Sequence, residues 1–219
     1  MFHRIFALLF PPRCVLCHKF LQKGEQDLCH NCRKAAPNCE KTNFPFSFLA
    51  GWTAVWYYKD TVRESLLRYK FAGRQSYASA YGRALAMKLQ TSELTDFDIL
   101  TWAPVSSLRR MRRGYDQVEL LANATAKELG IAPCKTLKKI RNTPPQSGIK
   151  DVYRRRANVL GAYRPVKPEN IRGKRILLLD DIITTGATAG ECARVLLTAG
   201  AKEVHCAAVA SAHSNKLSR

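Results

Sequence analysis

Acidic residues are scarce in this sequence: 17 Asp and Glu stand against 36 Lys and Arg in 219 residues, and the formal net charge is +19. A surplus of this size predicts polyanionic ligands, namely phosphates, nucleic acid or an anionic membrane. The simpler alternative is a basic surface that has no partner. Because hydrophobic residues make up 46% of the chain, it can bury a sizeable core, and we expect no extensive disorder.

Long hydrophobic runs are also lacking. No stretch approaches the roughly 20 apolar residues of a membrane span. The apolar run near the N-terminus ends at Pro11 and Pro12 without a small-residue cleavage site, so we expect a short amphipathic helix there and no signal peptide. These absences predict a cytoplasmic protein whose eight cysteines are reduced.

Two pairs of cysteines lie in the N-terminal part of the chain. Cys14 and Cys17 form one CxxC pair, Cys29 and Cys32 form the second, and eleven residues separate the pairs. A two-residue gap lets both sulfurs of a knuckle face one point, so two knuckles supply the four thiolates of a tetrahedral Zn²⁺. Four thiolates leave no open position for a substrate, which predicts a structural metal. Disulfides and reactive thiols are the alternatives, but reduced cysteines disfavour the first, and nothing nearby resembles a redox site.

Segments with the apolar period of strands alternate with helical segments after residue 40. Strands are predicted at 53–58, 99–103, 137–140, 174–180 and 204–210, and helices at 60–69, 77–89, 117–129 and 187–199. Strands that alternate with helices imply a parallel sheet covered on both faces, so the fold class is α/β. The stretch 141–150 has the composition of a loop.

Two consecutive carboxylates, Asp180 and Asp181, interrupt the apolar run in RILLLDDIITTGAT (175–188). The sequence has neither GxxxxGK[ST] nor GxGxxG, which excludes a P-loop and a dinucleotide fingerprint. Ligands of α/β sheets bind at the carboxyl ends of strands, and the hydroxyls and free N–H groups at the start of a helix suit a phosphate. The carboxylates would repel that phosphate but would accept hydrogen bonds from ribose hydroxyls. The alternative is that both aspartates cap a strand-to-helix turn. The predicted phosphate cradle consists of Thr184, Thr185, Gly186, Ala187 and Thr188.

This stretch resembles the 5-phosphoribosyl-1-pyrophosphate (PRPP) signature of type I phosphoribosyltransferases. The two CxxC pairs, RYKFAGR (68–74), RRGYDQVELLA (112–122) and RNTPPQSGIKDVYRRRANVLGAY (141–163) extend the resemblance, in this order, to the ComF/GntX family of the competence protein F type. The resemblance implies a zinc ribbon at 1–45 and, at 46–219, a type I phosphoribosyltransferase-like domain with a central, mostly parallel sheet. It also implies PRPP or a related phosphoribosyl ligand, bound with Mg²⁺.

Basic residues concentrate between 104 and 156, where 13 Lys and Arg stand against 4 Asp and Glu, so this segment holds +9 of the +19. Type I phosphoribosyltransferases place their pyrophosphate loop after the strand that 104–107 follows here. Guanidinium groups bind phosphate oxygens in pairs. The predicted pyrophosphate contacts are Ser106, Arg109, Arg112 and Arg113. A second cluster, Arg154, Arg155 and Arg156, is a candidate nucleic-acid site or, alternatively, a solvated basic face.

Three functions remain open. The resemblance implies a PRPP-binding protein of DNA uptake, which handles single-stranded DNA in the cytosol together with DNA-uptake proteins. The alternative is an active phosphoribosyltransferase in nucleotide or base salvage, and a third is a structural adaptor with a vestigial site. We assign no catalytic residue, because we expect no histidine near either loop: His205 and His213 fall in or after the last predicted strand. Aromatic residues among cations at 56–59 and 68–71 are candidates for stacking on bases, or are ordinary core residues.

Overall fold

The computed structural model describes residues 11–40, 45–144 and 151–213. The amphipathic helix expected before Pro11 lies outside these ranges. In chain order, the described residues form α1 (His30–Ala35), β1 (Gly51–Tyr57), α2 (Asp60–Phe71), α3 (Tyr77–Gln90), β2 (Ile99–Trp102), α4 (Ser107–Arg113), α5 (Gln117–Leu129), β3 (Leu137–Lys139), α6 (Val152–Val159), β4 (Tyr163–Pro165), a 3₁₀ turn (Pro168–Asn170), β5 (Arg175–Ile183), α7 (Ala187–Thr198) and β6 (Glu203–Ser211).

The central sheet has four strands in the order β1, β6, β5, β2, and all neighbouring strands are parallel. Side chains alternate across β5, because successive residues of a strand point to opposite faces. Leu177 and Leu179 lie in one buried cluster with residues of α2, α3 and α5, whereas Ile176 and Leu178 lie in a second cluster with residues of α7. The prediction of a parallel sheet with both faces covered is therefore confirmed.

One predicted strand has a different place in the fold. The strand expected at 137–140 was assigned to the alternating strands of the parallel sheet, but β3 pairs antiparallel with β4 in a separate two-stranded sheet. Its three residues include Lys138 and Lys139, and a strand this short and basic is unsuited to a sheet that is buried on both faces. The helices α4 and α6 were not predicted, and basic residues dominate both.

The segment with the four cysteines packs directly on the α/β domain. Val15 and Leu16, the two residues inside the first CxxC pair, are buried in the same cluster as residues of α2 and α3. Ser65 of α2 donates a hydrogen bond to the Val15 carbonyl oxygen. Arg83 of α3 donates two hydrogen bonds of 2.6 Å to the Asp27 carboxylate. The first knuckle is therefore part of the main hydrophobic core. None of the described helices is long and apolar enough to cross a membrane.

Candidate functional site

The four cysteines converge on one point. The sulfurs of Cys14, Cys17, Cys29 and Cys32 all lie within 4.8 Å of one another. The Cys17 and Cys29 sulfurs are 3.7 Å apart, close to the edge of about 3.8 Å expected for a tetrahedron with Zn–S bonds of about 2.3 Å. The donor set therefore fits a closed, structural zinc site. Cys39 lies outside this group and is buried beside the central sheet.

The adjacent carboxylates lie inside β5, three and two residues before its end, and not at its last residue. Both are buried, with 8% exposure for Asp180 and 4% for Asp181. Strand alternation directs them to opposite faces of the sheet. Asp181 faces α2 and α5, whereas Asp180 lies toward β3 and α7. The charge of Lys139 in β3 acts on the pKa of Asp180, and the charge of Asp180 acts on the pKa of Cys192 in α7. β2 ends opposite Leu179, so Asp180 is the first residue of β5 beyond the end of that neighbour.

Asp181 has two partners that sequence reasoning missed. The Lys70 ammonium lies 2.8 Å from its Oδ1, and the Gln117 side-chain amide donates to its Oδ2 at 3.1 Å. Lys70 lies in the last turn of α2 and Gln117 begins α5, so the two helices direct these polar side chains toward the same carboxylate. Both residues lie within motifs that carry the family resemblance, RYKFAGR and RRGYDQVELLA. Their place in these motifs was the sequence signal that could have identified them as residues of the site.

The environments of the two carboxylates differ in consequence. Burial, followed by the charge of Asp181, raises the pKa of Asp180 to about 8. Its Oδ1 accepts the backbone N–H of Asp181 at 2.8 Å. Burial also lowers the pKa of nearby Lys139 to about 8, and Arg109 contributes to that shift. Asp180 is thus a largely protonated group near neutral pH, in a site that disfavours its charge unless a ligand supplies donors.

The predicted cradle forms the start of α7. Gly186 is the N-cap and has a φ of +70°, a conformation that favours glycine. A Cβ at this position would lie 2.2 Å from the Phe46 ring, so the ring closes one side of the turn. The first N–H groups of α7, including those of Ala187 and Thr188, have no intrahelical acceptor. The Thr185 hydroxyl is buried without a hydrogen-bond partner among the described residues. Thr184 lies half-buried at the beginning of the turn.

Three of the predicted pyrophosphate contacts, Ser106, Arg109 and Arg112, face the segment 142–144. Ser106 is the N-cap of α4 and donates to the Asn142 side chain at 2.8 Å. Arg109 donates to the Thr143 carbonyl oxygen at 2.7 Å. The charge of Asp181 acts on the pKa of Arg109, so this arginine is near the carboxylates. Arg112 and Arg109 line one cavity of about 230 Å³, together with Leu108, Asn142, Thr143 and Pro144.

Arg113 packs on an aromatic ring at the end of α2. Its guanidinium lies 4.9 Å from the centre of the Phe71 ring, in a cation–π arrangement. Of these three arginines, Arg109 is the one that the charge of Asp181 reaches, and among the described residues no ion pair joins any of the three to the two carboxylates. Asp116 is the N-cap of α5: its Oδ1 accepts the Val118 and Glu119 N–H groups, and its Oδ2 accepts that of Val105. It therefore joins α5 to the loop before α4.

The second basic cluster lies on α6. Arg154 and Arg156 are exposed, and Arg155 is partly buried. Arg156 lines a cavity of about 170 Å³ together with Thr185, Gly186 and Ala187. Arg156 is consequently adjacent to the predicted phosphate cradle, although 28 residues, which include β4 and β5, lie between it and Thr185 in the sequence.

One histidine is closer to the cradle than the sequence indicated. His213 follows β6, and a hydrogen bond with the Thr184 backbone favours its protonated form, while burial, the larger effect, lowers its pKa. Its ring packs edge-on against Phe46 at a centroid distance of 5.0 Å. The expectation that no histidine lies near either loop is therefore wrong. Parallel pairing of β6 with β5 brings their carboxyl ends together, and this proximity is invisible in the sequence.

Family models match both parts of the chain: a phosphoribosyl transferase domain at residues 118–219 and a double zinc ribbon domain at residues 5–47. The DNA utilization protein YhgH of Salmonella typhimurium is 30% identical, over 90% of this chain and 96% of that protein. Competence protein F of Haemophilus influenzae is 27% identical, over 88% of this chain and 82% of that protein. Among solved structures, the glutamine PRPP amidotransferase from B. subtilis is 24% identical with a TM-score of 0.44, over 65% of this chain and 30% of that chain.

The fold and the family models define a type I phosphoribosyltransferase-like domain that carries an N-terminal zinc ribbon. The similarity to YhgH over nearly the whole length goes further. The chain belongs to the ComF/GntX family, the competence protein F type.

Proposed function

We propose that this chain binds PRPP and acts in DNA uptake, where it handles single-stranded DNA in the cytosol. One observation supports this ligand: within nine residues, from β5 into α7, a pair of buried carboxylates is followed by a helix N-terminus that is capped by a glycine. A ribose 5-phosphate needs acceptors for its hydroxyls and donors for its phosphate, and this succession supplies both. We also propose residue 45 as the boundary between the ribbon and the PRPP-binding domain.

The two carboxylates take different parts in the proposal. Asp181 is already held by Lys70 and Gln117, so it contributes a fixed negative charge. Asp180 has its second oxygen available for a ribose hydroxyl, and donation from that hydroxyl would favour its ionised form. The phosphate receives the N–H groups and hydroxyls of 184–188. The buried carboxylates also suit a hard cation that binds through carboxylate and phosphate oxygens, and we propose Mg²⁺ beside the pyrophosphate, near Arg109.

The proposed zinc ligands are Cys14, Cys17, Cys29 and Cys32. A closed four-thiolate site has no position for a substrate, so the metal stabilises the ribbon and takes no part in chemistry. Val15 and Leu16 lie between two of these ligands and are buried in the main core. The zinc site therefore also holds the first knuckle against α2 and α3.

The DNA part of the proposal depends on charge. Arg156 lies beside the phosphate cradle, and Arg154 is exposed on the same short helix. DNA phosphates and the phosphates of PRPP require the same donors, so we expect the two ligands to compete at this edge of the site. The relatives named for DNA utilization and competence support the same function.

Calorimetry with PRPP and Mg²⁺ tests the ligand. The double variant Asp180→Asn/Asp181→Asn is expected to bind PRPP more weakly, by at least about 1 kcal/mol for each charged hydrogen bond lost. Asp96→Asn is the matched control, because Asp96 pairs with Arg175 at the opposite end of β5. Unchanged affinity in the double variant would contradict the ribose site.

Salt dependence tests the DNA function. Logarithmic affinity for single-stranded DNA is expected to fall linearly with logarithmic salt concentration, with a slope of about −0.7 per phosphate contacted. Replacing Arg154, Arg155 and Arg156 by Ala is expected to reduce that slope by up to about two units. The Asp180→Asn/Asp181→Asn protein should bind DNA equally well or better, since the substitutions remove negative charge and add none. No DNA binding at low salt would contradict this function and favour a salvage enzyme.

A further inference from the structure

Two exposed phenylalanines carry an arginine over the ring. Phe71, at the end of α2, is 69% exposed, and Arg113 lies over it. Phe20, in the ribbon, is 53% exposed, and the Arg13 guanidinium lies 3.8 Å from the centre of its ring. Of the two aromatic stretches noted in the sequence, Trp56 and Tyr69 are core residues. Phe71 is not a core residue, so packing in the core does not explain why an aromatic side chain is present at this position.

A groove of about 540 Å³ lies between the ribbon and the start of α3, and its described lining includes Arg13, His18, Arg74 and Tyr77. We call it the ribbon groove. Arg13 belongs both to the groove and to the pair with Phe20. Arg74 follows Phe71 by three residues, which is at most about 11 Å of chain. Arg13 thus connects the groove to Phe20, and the short segment that ends at Arg74 connects it to Phe71.

Two arginines, Arg13 and Arg74, line the ribbon groove. Two carboxylates line it as well: Asp27 pairs with Arg83, from which it accepts two hydrogen bonds, and Glu25 accepts the backbone N–H groups of Gln22 and His30. The two arginines come from separate parts of the chain, the ribbon and the segment before α3, and meet in the lining of this one groove. A strand of phosphates with stacking bases complements a surface that combines arginines with exposed aromatic rings.

We propose that the ribbon groove and its two flanking phenylalanines bind single-stranded DNA, with bases stacked on Phe20 and Phe71. This inference rests on the proposed DNA function and adds a site for bases at a distance in sequence from Arg154–156. The surface ends at the PRPP pocket, because Lys70, the residue before Phe71, contacts Asp181. A strand bound here would pass from the ribbon to the edge of that pocket.

Fluorescence anisotropy with two oligonucleotides tests the proposal: a labelled oligothymidylate and an abasic strand with the same backbone and length. Stacking contributes about 1–3 kcal/mol per base, so Phe20→Ala and Phe71→Ala are each expected to weaken oligothymidylate binding at least about fivefold. Affinity for the abasic strand and the salt slope should stay unchanged. Phe20→Leu and Phe71→Leu keep apolar bulk without an aromatic face and should show the same loss.

Met87→Ala is the control for truncation of an exposed apolar side chain, since Met87 is 67% exposed on α3. This variant should bind both oligonucleotides as the parent protein does. Equal affinities of parent and phenylalanine variants for oligothymidylate would overturn the stacking site, as would equal losses for the two strands. If the arginine replacements on α6 reduce the salt slope while the phenylalanine variants bind normally, the proposed DNA function stands and this inference falls. If the parent protein binds neither strand, both fall.

Discussion

Replacement of Asp180 by Asn is expected to stabilise the ligand-free protein and to weaken its binding of PRPP. Burial and the neighbouring charge of Asp181 raise the pKa of Asp180 to about 8, from an ordinary value of 3.8. Between these values the native state holds a proton that the unfolded chain releases, so stability falls as pH rises through this window. Asn carries no such charge and keeps an oxygen that accepts the Asp181 N–H.

The size of the gain follows from the same shift. A pH of 7 is about three units above the ordinary pKa of this side chain, and each unit corresponds to about 1.36 kcal/mol. The free energy of unfolding can therefore rise by at most about 4 kcal/mol. We expect a gain of about 1–4 kcal/mol. For a chain of this length, each kcal/mol raises Tm by about 2–4 °C.

Thermal melts of the parent and of Asp180→Asn between pH 4.5 and 8.5, without PRPP, measure this effect. The two Tm values should converge at the acid end and separate toward pH 8. Asp181→Asn is the contrast, because it removes the carboxylate that Lys70 contacts at 2.8 Å and should bring no comparable rise. A Tm difference that is zero at pH 8, or that is the same at both ends of the range, would refute the reasoning.

Two further predictions concern the metal and the cradle. Cys29→Ser/Cys32→Ser is expected to lose zinc and melt at a lower temperature, whereas Cys39→Ser keeps one zinc per chain; elemental analysis decides, and full retention by the double variant contradicts the ligand assignment. Gly186→Ala is expected to unfold more easily than Gly73→Ala in urea and to lose PRPP affinity. Both glycines have positive φ, but only at Gly186 would a Cβ meet a neighbouring ring, at 2.2 Å, and equal stability of the two variants would contradict the close contact.

Local sequence signals predicted the elements that local chemistry controls. The helix predicted at 117–129 has those bounds in the structure, because Asp116 caps its first turn and Gly130 ends it in the left-handed conformation. The CxxC spacing likewise indicated a cluster of four sulfurs, since each pair is a contiguous knuckle. The stretch 175–188 predicted a strand, a turn at Gly186 and a helix start, all of which depend on near neighbours in the chain.

Only the tertiary structure decided which of these elements meet. Lys70 and Asp181 are 111 residues apart, and their contact exists because α2 packs on the face of the sheet toward which Asp181 points. Parallel pairing of β5 with β6 brings His213 to Thr184, and the pairing of β3 with β4 brings Lys139 toward Asp180. Contacts of this kind depend on helix packing and strand order. Sequences with the same local pattern can pack in different ways, so the pattern does not fix these contacts. The sequence by itself therefore determined the motifs, and the packing determined the site.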